Sequence, residues 1–194
     1  MTTTTRTEPA AWIGCLACHN SGRLVGRWIT AREAADDIAE AERTDGTLTY
    51  GHQAETATYP SGTTYARCVQ CGGDEFDLFD TQHLGTIRPS VASFYRDAEQ
   101  FADLDDAGTL EQITVLAAWL SSASLVDLIE YDADNYVGQF DSFYEYAEQY
   151  VDDTGLLAEV DETLANYFDY DRFARDLEMD YYYDEATGHT WRSV

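Results

Sequence analysis

The chain of 194 residues contains no lysine, and its 11 basic residues are all arginine. Aspartate and glutamate together number 37, so the formal net charge at pH 7 is −26. A protein that binds nucleic acid through its phosphates needs a positively charged surface. The composition therefore argues against direct binding of nucleic acid.

Apolar segments are short throughout the chain, and none approaches the roughly 20 residues that a membrane-spanning helix requires. Residues 1–9 are rich in threonine and have no apolar core of the kind found in signal peptides. Hydrophobic residues make up 44% of the sequence and aromatic residues 13%, which is typical of folded cores and not of disordered acidic tails. We expect a cytoplasmic protein without membrane contact, with a disordered tail over residues 1–11.

The acidic residues are distributed unevenly along the chain. Residues 1–71 hold 8 acidic and 6 basic side chains, whereas residues 72–194 hold 29 and 5. Halophilic adaptation would explain the total charge and the absence of lysine, because at about 1 M salt the Debye length is only about 3 Å. It explains the asymmetry less well. Duplex DNA carries about one negative charge per 1.7 Å, so an acidic face of similar density could occupy a site built for DNA.

The four cysteines form two CxxC pairs, Cys15 with Cys18 and Cys68 with Cys71. Two such pairs are the usual way to bring four thiolates to one tetrahedral Zn²⁺. Turn-forming residues follow each pair, which allows backbone amides to point at the sulfurs. The pattern predicts one structural zinc ion held by all four cysteines, and the alternative is that the cysteines are reduced or disulfide-linked.

Cys15, Cys18 and His19 also fit CxxCH, the attachment motif for c-type haem. Haem attachment normally follows export, and it would leave the second CxxC pair unexplained. We therefore expect His19 to be a surface neighbour of the metal, or a substitute ligand if one cysteine is not used.

The secondary-structure pattern predicts an α+β protein with three segments. These are an N-terminal α+β domain with zinc knuckles over residues 12–87, a central helical domain over 88–130, and a C-terminal acidic α+β domain over 131–194. In the first we expect a helix over residues 31–43, capped by Thr30 and ended by Asp45 and Gly46. Strands are expected over residues 12–17, 23–29, 47–52, 63–67 and 75–79.

The C-terminal segment carries the densest pattern of helix signals. Helices are predicted to begin after Ser142, Asp161 and Asp169, with Gly155 ending the first of them. The residues 181–183 and 187–193 are expected to form a closing hairpin.

Three segments carry distinctive motifs, NSGRLVGRWI over residues 20–29, TGLL over 154–157 and NYFDYDRFARDL over 166–177. These segments resemble the ArdA family of antirestriction proteins, and the first of them is similar to the N-terminal motif of that family. Residues 154–157, TGLL, and 166–177, NYFDYDRFARDL, are similar to its C-terminal block, which is associated with antirestriction. Residues 75–80 resemble an acidic-aromatic strand of the family, so the likeness extends over most of the chain from Trp12 onward.

The resemblance implies an elongated array of three small domains that forms a homodimer through the C-terminal one. It implies that the acidic surface mimics B-DNA and occupies the DNA-binding groove of type I restriction–modification enzymes, with the methyltransferase core as the partner. Residues in or near the C-terminal core and dimer contact would be Tyr167, Tyr170, Phe173 and Leu177. The mimic surface would comprise Asp141, Glu145, Glu148, Asp152, Asp153, Glu159, Asp161, Glu162, Asp169, Asp171, Asp176, Glu178 and Asp180. The CxxC pairs and residues 46–72 depart from the family pattern.

Two other classes of function stay open at this point. In the first, the zinc-bearing segment is an adaptor that binds nucleic acid or a protein, and the acidity reflects mainly salt adaptation or recruits a basic partner. Its contact face would consist of Arg23, Arg27, Arg32, Arg43 and Arg67, although surface ion pairing is the ordinary role of such residues. The second class is an enzyme, but no Ser–His–acid, HExxH, P-loop or GxGxxG arrangement occurs, and we predict no catalysis.

Overall fold

The computed structural model describes residues 8–44, 46–50, 54–122 and 124–193. The chain divides into two compact units, Met1–Leu125 and Val126–Val194. Both are mixtures of helices and small antiparallel sheets, as the α+β prediction requires. The predicted division into three domains is not confirmed.

The first unit begins with a three-stranded sheet that is interrupted by helices and by a hairpin. Its elements are β1 (Ala10–Cys15), α1 (Leu16–Asn20), β2 (Gly26–Thr30), α2 (Ala31–Thr44), β3 (Ala54–Thr58), β4 (Thr64–Cys68), β5 (Phe76–Gln82), α3 (Val91–Arg96), α4 (Ala98–Ala107) and α5 (Leu110–Leu120). The sheet has the order β2-β1-β5, and β3 pairs only with β4 as a separate ribbon. Ile13 of β1 and Ile29 of β2 are fully buried, together with Ala31 and Ala34 of α2.

Local signals account for the start of α2. The Thr30 Oγ1 atom accepts a hydrogen bond from the Glu33 amide, and a Glu33 carboxylate oxygen accepts one from the Thr30 amide. This reciprocal capping box confirms the predicted helix start. Gly46 donates its N–H to the Ala41 carbonyl after the last turn, while the predicted helix-ending residue Asp45 lies outside the described residues.

The predicted strand over residues 47–52 is wrong where the structure describes it. Residues 46–50 form no strand, and residues 51–53 lie outside the described ranges. Tyr50 has a positive φ of 45°, which a strand cannot accommodate. Its ring packs against Phe76 and Tyr95 instead, with centroid distances of 5.9 and 5.3 Å. The strand in this region is β3, which begins at Ala54.

Two other boundaries differ because the first CxxC pair bends the chain. The predicted first strand ends early, at Cys15, and residues 16–20 form α1. It also begins early, at Ala10, so the tail expected to be disordered over residues 1–11 is wrong for Ala10 and Ala11, which are buried in β1. The Cys18 carbonyl then accepts the amides of Ser21 and Arg23, so the second strand begins at Gly26 and not at Arg23.

The second unit contains the most acidic part of the chain. Its elements are α6 (Leu125–Asn135), which starts at the boundary, β6 (Tyr136–Gln139), α7 (Phe143–Thr154), α8 (Glu162–Ala165), α9 (Tyr170–Leu177), a 3₁₀ turn (Glu178–Asp180), β7 (Tyr181–Tyr183) and β8 (His189–Arg192). The predicted hairpin is confirmed as β7 with β8. The sequence analysis missed β6, which pairs with the other side of β8.

The predicted helix caps in this unit are confirmed. Ser142 Oγ accepts the Glu145 amide, Asp161 Oδ1 accepts the Thr163 amide, and Asp169 Oδ1 accepts the Arg172 amide. Gly155 ends α7 with φ of +63°. The core between α7 and α9 consists of Phe143, Tyr146, Ala147 and Ala174, with Val137, Phe140, Tyr150, Phe173, Leu177, Tyr181 and Tyr183 packed against it.

A substitution at Gly188 tests the backbone packing of the second unit. This glycine has φ of +78°, and a Cβ atom at this position would overlap the backbone carbonyl oxygen of Phe140. We expect Gly188→Ala to lower the free energy of unfolding by about 3 kcal/mol or more, because left-handed strain and a backbone collision add together.

Gly155→Ala is the matched control, because φ is +63° and the nearest side-chain atom would lie 3.6 Å from the added methyl group. It should cost only the left-handed strain, about 1–2 kcal/mol. Urea unfolding followed by circular dichroism measures both, and equal losses would contradict the close approach of Gly188 to the Phe140 carbonyl.

Candidate metal centre and acidic surface

All four cysteines meet in the first unit. Their Sγ atoms lie within 4.8 Å of one another, with 3.5 Å between Cys15 and Cys71 and 3.9 Å between Cys18 and Cys68. A tetrahedral site with metal–sulfur bonds of about 2.3 Å places its sulfurs about 3.8 Å apart. The cluster can therefore hold a single metal ion without rearrangement of the backbone.

Backbone hydrogen bonds position the two CxxC turns. The Cys15 amide donates to the Val25 carbonyl at 2.9 Å, which fixes the end of β1 against the start of β2. The Cys68 amide donates to the Gly73 carbonyl at 2.7 Å, and the Gly73 amide donates to the Cys71 Sγ atom at 3.4 Å. The cluster thus joins the β3–β4 ribbon to the three-stranded sheet.

The thiols of the cluster differ in acidity. Burial raises the pKa of Cys18 to about 12 and also raises the pKa of Cys15. The pKa of Cys71 is lowered to about 7, mainly because the Gly73 amide donates to its sulfur and also because the neighbouring thiols stabilise the thiolate. Cys71 is the exposed member and ionises before Cys15 and Cys18, so a metal must displace protons from these two of the three buried thiols.

His19 does not belong to the group of ligand atoms. Its ring stacks on Phe79 with centroids 4.1 Å apart, and the ligand cluster of the described residues consists of the four cysteines alone. His19 is therefore a neighbour of the site, as one of the two expectations had it.

The arginines of the suggested adaptor face are mostly paired with carboxylates. Arg27 contacts Glu33 at 3.0 Å, Arg32 contacts Asp106 at 3.0 Å, and Arg67 contacts Glu55 at 2.8 Å. Arg43 pairs with Glu40. Arg23 is exposed and forms no ion pair with any residue that the structure describes. Because acidic partners offset most of this charge, the pairing disfavours a basic face for nucleic acid.

The Arg27–Glu33 pair also affects the start of α2. Burial alone would raise the pKa of Glu33, but the Thr30 amide and the Arg27 guanidinium outweigh it and hold the pKa below its usual range. The stabilising contribution of Glu33 is therefore present above its unfolded pKa and lost as the pH falls through the lower folded value.

All the carboxylates predicted for the acidic surface are exposed. They are Asp141, Glu145, Glu148, Asp152, Asp153, Glu159, Asp161, Glu162, Asp169, Asp171, Asp176, Glu178 and Asp180. Three of them also support the fold. Asp161 and Asp169 cap α8 and α9, and Glu145 accepts the Asp141 amide at the start of α7.

The four residues of the C-terminal motif lie in different environments. Phe173 and Leu177 pack against the core of the second unit. Tyr170 is half-buried and touches the ring of Phe168, whereas Tyr167 is 83% exposed.

The sequence analysis missed one feature of the first unit, an aromatic surface around Trp12 and Trp28. The sequence carries a signal for this surface. The order Trp-x-Gly at residues 12–14, before the first CxxC turn, is reversed to Gly-x-Trp at residues 26–28 after it. Antiparallel pairing places these two segments opposite each other.

Among the described residues, no single helix is both long and apolar enough to cross a membrane. Helices α5 and α6 reach that length and composition only when they are counted together.

The geometry defines a protein with a cluster of four cysteines in one unit and an exposed acidic surface in the other. The family model of the antirestriction protein ArdA matches residues 11–190. The chain therefore belongs to the ArdA family of antirestriction proteins, which act on restriction enzymes. No curated protein matches the chain.

The cysteine cluster predicts metal binding with a defined ligand set. We expect the purified chain to bind one Co²⁺ ion with thiolate charge-transfer absorption, and we expect Cys18→Ser to abolish that absorption. Because binding displaces protons from Cys15 and Cys18, the affinity should fall as the pH is lowered.

His19→Ala is the control, since its ring lies on Phe79 and outside the cluster. This variant should keep the absorption and the stoichiometry of the unmodified chain. Loss of metal binding in His19→Ala, or its retention in Cys18→Ser, would contradict the four-cysteine site.

Proposed function

We propose that this chain inhibits type I restriction–modification enzymes by mimicking B-DNA. The acidic surface of the second unit occupies the DNA-binding groove of the methyltransferase core in the cytoplasm and excludes the substrate. The chain acts as a homodimer that blocks this groove. It catalyses no reaction and binds neither nucleic acid nor membrane. Family membership supports the antirestriction function, and the placement of carboxylates on α7 supports the mimicry.

The carboxylates of α7 are the observation that carries this proposal. Glu145, Glu148 and Asp152 are spaced by three and four residues, so they form a stripe along one side of the helix. At 1.5 Å per residue, the stripe and Asp153 span about 12 Å. Four charges over that length approach the spacing of phosphates on one DNA strand, which is about 3.4 Å.

The neighbouring helix adds a second group of carboxylates. α9 packs on the same core as α7. It and the turn that follows carry Asp171, Asp176, Glu178 and Asp180. The carboxylates of α7 and those of α9 and its following turn together raise the density of negative charge on the second unit, with Arg172 and Arg175 partly offsetting the second group.

The stripe on α7 is unfavourable for the helix itself. Like charges three or four residues apart each cost about 0.2–0.5 kcal/mol. Asp152 and Asp153 lie in the last turn, where they oppose the helix dipole at a cost of about 0.3–1 kcal/mol each in low salt. No ion pair offsets Glu148 or Asp152 within the part of the chain that the structure describes. Selection for a ligand-like surface explains this placement better than selection for stability.

We further propose that the metal is Zn²⁺ and that its role is structural. Four thiolates complete a tetrahedral shell, so no position stays open for a substrate. The ion would anchor the β3–β4 ribbon to β1 and α1, in a segment where loop closure alone costs conformational entropy.

The homodimer is proposed to form through the second unit. Exposed apolar side chains concentrate between α7 and α9, where Leu156, Leu164 and Tyr167 are all exposed. Large apolar side chains that are exposed in the single chain are candidates for a protein contact.

The mimicry predicts a loss of inhibition when the stripe is neutralised. The variant Glu148→Gln/Asp152→Asn/Asp153→Asn/Glu159→Gln leaves the capping residues Glu145 and Asp161 in place. We expect it to displace labelled duplex DNA from a type I methyltransferase core at least tenfold less well, because the groove is built for negative charge. Its thermal stability should be unchanged or higher, since the removed charges oppose the helix.

The charge-matched control neutralises four exposed carboxylates of the first unit, Asp36, Glu42, Glu99 and Asp103. This variant should displace DNA like the unmodified chain. Equal loss in both variants would point to net charge alone, and no loss in either would contradict mimicry by the second unit.

The dimer predicts that Tyr167→Ala shifts the chain toward monomer in light scattering, since its ring is 83% exposed in the single chain. Leu24→Ala removes a side chain of similar exposure, 79%, from the first unit. It should leave the mass unchanged. A dimer that persists in Tyr167→Ala would mean that this residue lies outside the contact.

A further inference from the structure

The outer face of the β2-β1-β5 sheet carries an aromatic surface that the proposed function leaves unused. Trp12 of β1 lies directly opposite Trp28 of β2. Directly opposite residues of an antiparallel pair point to the same side of the sheet. A bulge between Trp12 and Ile13 admits Phe79 as an extra residue of β5, and its ring meets Trp12 edge-on at 5.6 Å. His19 stacks on Phe79 and completes the row.

Two glycines make room for the Trp12 ring on this face. Gly14 and Gly26 pair with each other beside Trp12. A Cβ on Gly14 would lie 2.7 Å from the indole Cζ3 atom, and one on Gly26 would lie 2.9 Å from the indole Cη2 atom. The indole ring of Trp12 therefore lies flat over Gly14 and Gly26, in the space that side chains at these two positions would fill. This arrangement spreads the ring over the surface and leaves Trp28 37% exposed beside it.

Carboxylates lie on the same side of the sheet. Asp80 is directly opposite Trp12, and Asp77 is directly opposite Gly14. Both are exposed, and each uses one oxygen to accept the amide of the residue that follows it. Neither forms an ion pair with a described residue. The face thus combines partly exposed aromatic rings with two carboxylates that have no ion-pair partner among the described residues.

We propose that this face, defined by Trp12, Trp28, His19, Phe79, Asp77 and Asp80, docks an arginine- or lysine-bearing segment of a protein partner. A cation over an indole face is attracted by the ring quadrupole, and tryptophan is the best aromatic partner. The carboxylates at the edge supply the opposite charge, and a guanidinium can satisfy both. The proposal rests on the proposed function for the identity of the partner, a restriction–modification enzyme whose DNA-binding surface is basic.

Aromatic sheet surfaces also bind single-stranded nucleic acid by base stacking. Such surfaces combine their rings with a positively charged groove that follows the phosphates. Asp77 and Asp80 place negative charge where those phosphates would lie. Charge therefore favours a basic protein segment over a nucleic acid.

The first experiment tests the face without the enzyme. The full chain, labelled with ¹⁵N, is titrated with a hexa-arginine peptide while the four tryptophan indole N–H signals are followed. We expect the signals of Trp12 and Trp28 to shift and that of Trp191 to stay, because Trp191 is fully buried in the second unit. Trp28→Ala should weaken the peptide affinity reported by Trp12 about fivefold or more, and Trp28→Phe should weaken it less.

The carboxylates are tested with a matched pair of variants. Asp77→Asn/Asp80→Asn should weaken the same binding, whereas Asp36→Asn/Glu42→Gln removes equal charge from α2 and should not. Equal behaviour of both double variants, or an unchanged affinity in Trp28→Ala with a native circular dichroism spectrum, would overturn the proposal. Shifts caused by a deoxythymidine oligonucleotide in place of the peptide would also overturn it.

The second experiment uses the methyltransferase core and the same variants in the DNA-displacement assay. Weaker displacement by Trp28→Ala and by Asp77→Asn/Asp80→Asn, with normal displacement by the α2 variant, would place the enzyme on this face. If the unmodified chain fails to displace DNA, the proposed function falls, and the peptide titration still decides whether the face binds cationic side chains.

Discussion

Mutual repulsion among carboxylates is the constraint on which the rest of this structure depends. Residues 126–194 hold 19 acidic and 3 basic side chains, so the second unit can be compact only if its acidic side chains stay in solvent and its interior gains enough from apolar contact. The interior is accordingly aromatic. Phe143 and Tyr146 lie at its centre, and Tyr181 contacts both rings, at 5.9 and 5.1 Å. Large rings bury much surface for each residue, and the phenol groups can reach the polar rim.

The first unit meets a different requirement. Its sheet is small, its third strand comes late in the sequence, and a ribbon is inserted before that strand. The four cysteines draw the end of β1, the helix α1 and the end of β4 together at one point. Metal binding would then contribute directly to folding, because the site does not exist in the unfolded chain. The two units thus use different means, a thiolate cluster in one and an aromatic core in the other.

Features that depend on neighbouring residues could be predicted from the sequence, and features that depend on distant partners could not. The caps at Thr30, Ser142 and Asp169 were predictable because a cap and the amide that it accepts lie within one helical turn. The thiolate cluster was predictable because its spacing is characteristic of metal sites. The strand expected over residues 47–52 failed because the packing of the Tyr50 ring overrides local β propensity. The sequence carries the pattern of Trp12 and Trp28, but the short strand β6 and the place of Phe79 beside Trp12 depend on strand register, which only the folded sheet reveals.

Glu145, Asp161 and Asp169 each have two roles, and this limits which positions of the protein can change during evolution. Each carboxylate presents charge to solvent and also satisfies a backbone amide at the start of a helix. Substitution at these positions would destabilise the fold, whether or not a partner binds. Carboxylates without that second task, such as Glu148 and Asp176, are constrained by the partner and not by the fold. Relatives that face different host enzymes should therefore differ mainly at the carboxylates that cap no helix. The capping carboxylates should stay the same.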